Sequence, residues 1–170
     1  GSRRWVTRQW ICCELQFRSR HREVMAPGRY TELFFLDEAT ALAAGHRPCF
    51  ECRRAEALVF ATLWAQAEGR TGRVTADHMD RILHEERLGP GGGKRTYQWP
   101  IGDLPMGTIA RLNGRPHLVT GRSLRPWTPE GYLDAIQIDP DTLVDVLTPP
   151  SVVALFRLGL RPRLHPTAGR

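Results

Sequence analysis

The chain has 170 residues, 41% of them hydrophobic, a length that gives one compact domain or two small ones with a real core. No apolar run approaches the roughly 18 residues of a membrane span, and four cysteines are too sparse for a disulfide scaffold. Lys plus Arg number 24 against 18 Asp plus Glu, a formal charge of +6 with a pI near 9.8, and electrostatic attraction to nucleic acid is the default reading of such an excess.

Residues 5–17 alternate as a strand, with Trp5, Thr7, Gln9, Ile11, Cys13, Leu15 and Phe17 on one side. The basic stretch Arg18-Ser-Arg-His-Arg22 follows, then Val24-Met25 as a hairpin partner and a bend at Ala26-Pro-Gly28. Tyr30 to Leu36 reads as a second strand. Asp37 is an N-cap for a short Ala-rich helix that Gly45 stops in the left-handed position, with Pro48 forbidding continuation. A long helix is expected from about Glu51 to Glu68, with Leu58, Ala61, Leu63, Trp64 and Ala65 in its buried stripe, and Gly69 to Gly72 ending it. Thr75 caps another helix in which Met79, Ile82 and Leu83 recur at helical spacing.

The chemistry concentrates in Gly45-His-Arg-Pro-Cys-Phe-Glu-Cys-Arg-Arg54. The Cys49-x-x-Cys52 spacing lets two sulfurs point into one turn and grip one ion, and the surrounding Arg47, Arg53 and Arg54 favour thiolate over thiol. Zinc binds thiolates at about 2.3 Å, usually in a four-ligand tetrahedron. The stretch from Glu32 to Arg54 (aromatic strand, Ala-rich helix, then Ala-Gly-His-Arg-Pro-Cys-x-x-Cys-Arg) resembles the zinc-binding N-terminal domain of the bacterial Ada alkylation-response proteins, over about residues 30–54. The resemblance implies a zinc knuckle and a role on DNA in repair. That family carries two further cysteines upstream, four positions apart, one of which accepts a methyl group from a DNA phosphotriester. Here Cys12 and Cys13 are adjacent, and successive strand residues face opposite sides. One of the two is therefore expected as a third ligand, and methyl transfer does not carry over directly.

The fourth position falls to a histidine, a carboxylate or water, with His21 and His46 the nearest imidazoles. If a side chain closes the tetrahedron, the zinc is structural. If water fills it, the metal lowers that water's pKa to about 7 and the site can hydrolyse a substrate. A thiolate-rich shell makes the ion a weaker Lewis acid, which favours the structural reading. Disulfides are the competing reading of the cysteines, but a vicinal pair is poorly suited to one and no apolar leader precedes it, so a reducing cytoplasm is expected.

Gly89-Pro-Gly-Gly-Gly93 marks an internal boundary between residues 1–88 and a β-rich region at 94–170, and the two regions can still pack as one domain. The loop lacks the Gly-Lys-Ser/Thr ending of a phosphate-binding loop. Gly107 to Thr120 and Thr142 to Leu147 read as strands, with a hairpin turn at Asn113-Gly114 and another turn at Thr128 to Gly131, giving a small antiparallel barrel or sheet. Leu155-Phe-Arg-Leu-Gly-Leu-Arg-Pro162 echoes Ala41 to Pro48, which shared helix-capping grammar explains more simply than duplication.

Asp77, Asp80, His84 and Arg87 fall on one helix face. Asp80, His84 and the neighbouring Glu86 are candidates for a general acid or base, against the commoner solvated, salt-bridged face. Leu124-Arg-Pro-Trp-Thr-Pro-Glu-Gly-Tyr132 sets Trp127 and Tyr132 on a Pro-restrained loop, able to stack on bases at roughly 1–3 kcal/mol each or to plug the end of a barrel. Lys94 is the only lysine in the chain. A GC-rich genome writes Arg for Lys, although it does not create a net excess of base. Arginine also forks onto phosphate oxygens better than lysine.

The combined expectation is an α+β protein with an Ada-like zinc knuckle and a β-rich C-terminal half. Zn²⁺ is held by Cys49, Cys52 and Cys12 or Cys13, with His46 or His21. Nucleic acid, DNA ahead of RNA, meets Arg47, Arg53, Arg54, Arg18, Arg20, Arg22 and Trp127. A zinc-dependent hydrolase acting on phosphate esters is the rival reading, and a non-catalytic interaction scaffold is the third.

Overall fold

The computed structural model describes residues 5–18 and 32–169. Of the strand read over residues 5–17, only Ile11–Cys12 (β1) forms a ladder, parallel to Arg47–Pro48 (β2). The second expected strand is absent over residues 32–36, where Leu33 and Phe34 stay exposed. Aromatic propensity needs a neighbouring strand to become structure, and Phe35 instead meets the His46 ring edge-on at 4.8 Å. The expected hairpin partner and bend at residues 24–28 lie outside the described residues.

The first helix, Glu38–Ala43 (α1), starts as its cap dictates: Asp37 Oδ1 accepts the Thr40 N–H at 2.9 Å. Gly45, at φ +85°, ends it. The Gly45 N–H bonds to the Leu42 carbonyl and the His46 N–H to the Ala41 carbonyl. A Cβ on Gly45 would lie 2.7 Å from Arg87 Cδ, so glycine is required by conformation and by crowding. The next helix, Arg54–Ala67 (α2), begins three residues later than expected because the chain from Cys49 to Arg53 is occupied in turns. Ala61, Trp64 and Ala65 are buried as expected, and Ala57 and Phe60 join them, while Leu58 and Leu63 are half-buried. Thr75 caps Ala76–Arg87 (α3) through its side chain, with Met79 and Leu83 fully buried.

The Gly89–Gly93 loop is a closed excursion. The Gly89 N–H bonds to the Gly93 carbonyl at 2.8 Å, and Leu88 and Lys94 bridge across its base. Beyond it the strands Tyr97–Pro100 (β3), Ile109–Leu112 (β4), Arg115–Val119 (β5), Ser123–Thr128 (β6), Gly131–Tyr132 (β7), Ile136–Gln137 (β8) and Leu143–Val146 (β9) form one antiparallel sheet. Its order is β3-β9-β4-β5-β6-β7, with β8 also on β6. The Asn113-Gly114 turn has positive φ at both residues, 50° and 78°, as a two-residue type I′ hairpin requires. The sheet stays open, since β3 and β7 end its order without pairing to each other. Of the barrel or sheet expected from the sequence, the open sheet is what forms.

Strand alternation sends one set of side chains to each face. Ala110, Val119, Leu124 and Val146 meet Val153, whereas Ile109, Leu118 and Tyr132 meet Ala39 and Ala43 of α1. The last helix, Pro150–Arg157 (α4), links the two regions. Its Val153 faces the sheet while Val152, Leu155 and Phe156 enter the cluster of Phe60, Trp64, Met79 and Leu83. Each such burial contributes about 1.5–3 kcal/mol, so residues from both sides of the glycine loop share their cores. The echo between the ends of α1 and α4 is capping grammar. Gly159 sits at φ +103° with Leu160 N–H on the Leu155 carbonyl, and α2 ends the same way at Gly69.

Candidate metal centre

The stop at Gly45 turns the chain so that β2 lies along β1. The Arg47 N–H bonds to the Trp10 carbonyl at 3.1 Å, and the Cys49 N–H to the Cys12 carbonyl at 3.2 Å. This register brings Cys13 to the knuckle. The sulfurs of Cys13, Cys49 and Cys52 all lie within 4.8 Å of one another, close enough for one metal ion. Cys12 faces the other way, its sulfur accepting from Arg53 Nη1 at 3.5 Å, so the choice between the two adjacent cysteines falls on Cys13. His46 stands outside the thiol cluster. It is buried between Trp10 and Phe35, its Nδ1 has no hydrogen-bond partner, and burial and the Arg87 charge lower its pKa to about 4. His21 lies outside the described residues.

Backbone donors prepare the sulfurs for negative charge. The Glu51 N–H points at Cys49 Sγ (3.4 Å) and the Glu14 N–H at Cys52 Sγ (3.3 Å). Burial pushes the Cys49 thiol up, but the N–H groups of Cys52 and Glu51, together with hydrogen bonds from the Cys52 and Cys13 thiols, make the net shift downward. Burial and the two neighbouring sulfurs push Cys13 up to about 12. Three thiolates this close repel one another, and a cation between them removes the conflict.

The arginines divide sharply. Arg47 is buried, and its guanidinium forms a two-pronged pair with Asp80: Nε to Oδ1 at 2.8 Å and Nη2 to Oδ2 at 2.7 Å. Arg53 is 3% exposed and reaches Glu38 at 2.7 Å, with Glu14 and Glu56 at 3.5 and 3.7 Å. Both were expected at phosphates, and both instead neutralise buried or half-buried carboxylates, a use of the arginine fork that leaves nothing facing solvent. Arg54 is exposed at the start of α2, and Arg18 is exposed with its guanidinium 5.0 Å from the Phe17 ring. Arg20 and Arg22 lie outside the described residues.

The α3 candidates have structural partners. Asp80 is committed to Arg47. Glu86 accepts Ser151 N–H and Oγ–H at 3.1 and 2.7 Å, capping α4. His84 meets the Trp5 ring edge-on and lies 3.0 Å from Arg87 Nη2 through Nδ1, its pKa lowered by burial and then by Arg87. Trp127 is half-buried in β6 against the α1 face of the sheet.

Two hubs escaped the sequence reading. Arg87 is 1% exposed, lies 3.7 Å over the Trp10 ring and donates to the carbonyls of Gly45 and Arg8, tying the N-terminal arm to α3. Asp37 is more than a cap. Its Oδ2 accepts from the Tyr132 hydroxyl and the His165 N–H, and the Arg163 side chain reaches Glu14 and Glu56 nearby. Arg163 and Glu14 are 149 residues apart, a separation that no local pattern announces.

The chain matches no family model, no curated protein and no solved structure. No helix among the described residues is long and apolar enough to cross a membrane.

Proposed function

We propose that the chain is a zinc-knuckle protein that binds nucleic acid, DNA ahead of RNA, in repair or processing, with zinc in a structural role. The observation that carries the metal part is the Cys13, Cys49 and Cys52 cluster with its N–H donors on sulfur. Three soft thiolates select zinc over hard cations, and they weaken the ion as a Lewis acid. The nucleic-acid part rests on the net charge of +6 and on the exposed arginines Arg18 and Arg54, together with the resemblance to Ada-type knuckles. Arg47 and Arg53 hold the fold and take no part in this contact.

The hydrolase reading has one observation in its favour, a cleft of about 290 Å³ touching Cys12, Cys13, Asp37, Glu38 and His165. Its carboxylates are already engaged. Asp37 accepts four hydrogen bonds, from Thr40 N–H and Oγ–H, Tyr132 and His165, and Glu38 accepts from Arg53 and the Arg163 N–H. A carboxylate so occupied makes a poor general base. Metal analysis with DNA-binding titrations tests the proposal. One zinc per chain and salt-dependent binding are expected. Zinc-dependent turnover of a phosphate ester, lost in Cys52→Ala with the fold intact, reverses the choice.

A further inference from the structure

The thiol cluster offers three donors of one kind and no fourth among the described residues. Cys13, Cys49 and Cys52 hold their sulfurs within 4.8 Å of one another, and no histidine nitrogen or carboxylate oxygen joins that group. The polar side chains around it are committed elsewhere. Cys12 Sγ accepts from Arg53, the Glu14 carboxylate pairs with Arg163 and Arg53, and His46 is enclosed by the Trp10 and Phe35 rings.

The backbone positions the three sulfurs. The Glu14 N–H fixes Cys52 Sγ and the Glu51 N–H fixes Cys49 Sγ, while the Arg53 N–H on the Cys49 carbonyl at 3.0 Å closes the knuckle turn. Exposure is graded: Cys49 is buried, Cys52 half-buried and Cys13 exposed. A ligand therefore enters from the Cys13 side. Thiolates select among ions by softness and geometry. Zinc at a structural site takes four donors. A trivalent metalloid takes three, in a pyramid, because its lone pair fills the fourth direction. Its hydroxide is uncharged at physiological pH, so the arginines and glutamates nearby neither attract nor repel it.

We propose that Cys13, Cys49 and Cys52 form a binding site for trivalent arsenic, taken up as arsenous acid. Each thiol sulfur forms an As–S bond, each displaced hydroxyl leaves with one proton, and three waters are released. Where zinc already holds the sulfurs as thiolates, the protons come from solvent and Zn²⁺ departs. Arsenic stays trivalent, so no oxidant or reductant is consumed. The inference rests on the same sulfurs as the proposed zinc site, and the test separates the two.

The full zinc-loaded chain, its zinc content measured first, is titrated with sodium arsenite. A chromophoric chelator reports released zinc against an arsenite-free control, and native mass spectrometry counts arsenic. One arsenic per chain is expected in exchange for the zinc. X-ray absorption at the arsenic edge should find three sulfur neighbours and no oxygen. Cys12→Ser should bind as the parent chain does. Cys13→Ser should weaken binding about 100-fold, since a third bond from a preset group acts at high effective concentration. Denaturant keeps the four cysteines but not their arrangement, and should weaken binding similarly. Arsenic with two sulfurs and an oxygen, or equal affinity in folded and denatured chains, overturns the inference without any variant. Zinc bound and arsenite refused overturns it alone and leaves the zinc reading in place. Arsenite bound by a chain that takes no zinc supports this site and removes zinc from the proposed function, and a chain that binds neither removes both.

Discussion

The N-terminal arm that carries Cys13 and the C-terminal sheet are held by different physics. The sheet has both faces covered, by α4 and by α1, and its buried strand residues such as Ala110, Leu118 and Val146 are 0% exposed. The arm pairs only two residues as strand and leaves Val6 and Leu15 85% and 84% exposed. What fixes it is polar: Arg87 on the Arg8 carbonyl, Arg53 among three glutamates, and Cys13 at the thiol cluster. Apolar burial suffices where two layers meet, while a segment without a partner layer depends on ligands and ion pairs.

Metal removal gives the largest separation between the two regions. Structural zinc contributes on the order of 10 kcal/mol in small domains, so chelation or Cys13→Ser should abolish hydrogen-exchange protection around Trp10 to Glu14 and Cys49 to Arg53. The sheet should keep its own. Cys12→Ser is the sharpening control. It should retain the metal and cost about 1 kcal/mol, the weak bond from Arg53. Loss of metal from Cys12→Ser with retention in Cys13→Ser would reverse the assignment.

The next effect separates buried from exposed ion pairs. Asp80→Ala leaves the Arg47 guanidinium buried without its partner, and denaturant unfolding should show a loss of about 3–5 kcal/mol. The exposed sheet pair Arg111–Asp145 should lose under about 1 kcal/mol on Asp145→Ala. Equal losses would mean that the buried Arg47–Asp80 pair carries no more than a surface one.

Protonation acts where Trp10 of the arm packs on His46. The folded pKa of His46, about 4, lies below its ordinary 6.5. Between these values the unfolded chain binds a proton that the folded chain refuses, so stability is full above about pH 6.5 and falls as pH drops toward 4. The loss is about 3 kcal/mol. Thermal unfolding across that window should show the slope, and His46→Phe should flatten it.

Legibility in the sequence followed the same division. Caps at Asp37 and Thr75, the Gly45 stop and the Asn113-Gly114 hairpin were readable because each is a local rule with a local partner. The approach of Cys49 and Cys52 was readable from spacing, and of the adjacent pair only Cys13, just past the end of β1, joins them. The strand read at Tyr30 to Leu36 was not realised over residues 32–36, because propensity says nothing about whether a neighbour exists. β6 was taken for a loop because of Pro126, yet that residue lies opposite His117 within the sheet. The arginines misled most. A basic cluster looks the same in sequence whether its partners are phosphates or the distant Asp80, Glu38 and Glu14.

The smallest expected effect tests that last distinction. If Arg54 meets a backbone phosphate, Arg54→Ala should lower the steepness of log affinity against log salt by about 0.9 on duplex DNA, one contact's worth. Its side chain is exposed at the first turn of α2, so the fold should not change. Arg53→Ala belongs to the other class. It uncovers Glu38 and Cys12, so it should lower stability first and weaken binding only through loss of the arm. Arg115→Ala, on the exposed hairpin of the sheet, serves as the control for charge alone. A larger change in salt dependence from Arg115 than from Arg54 would move the nucleic-acid face from the cysteine-bearing half to the sheet. No salt dependence in any of the three would leave the zinc knuckle in place and remove the DNA from the proposal.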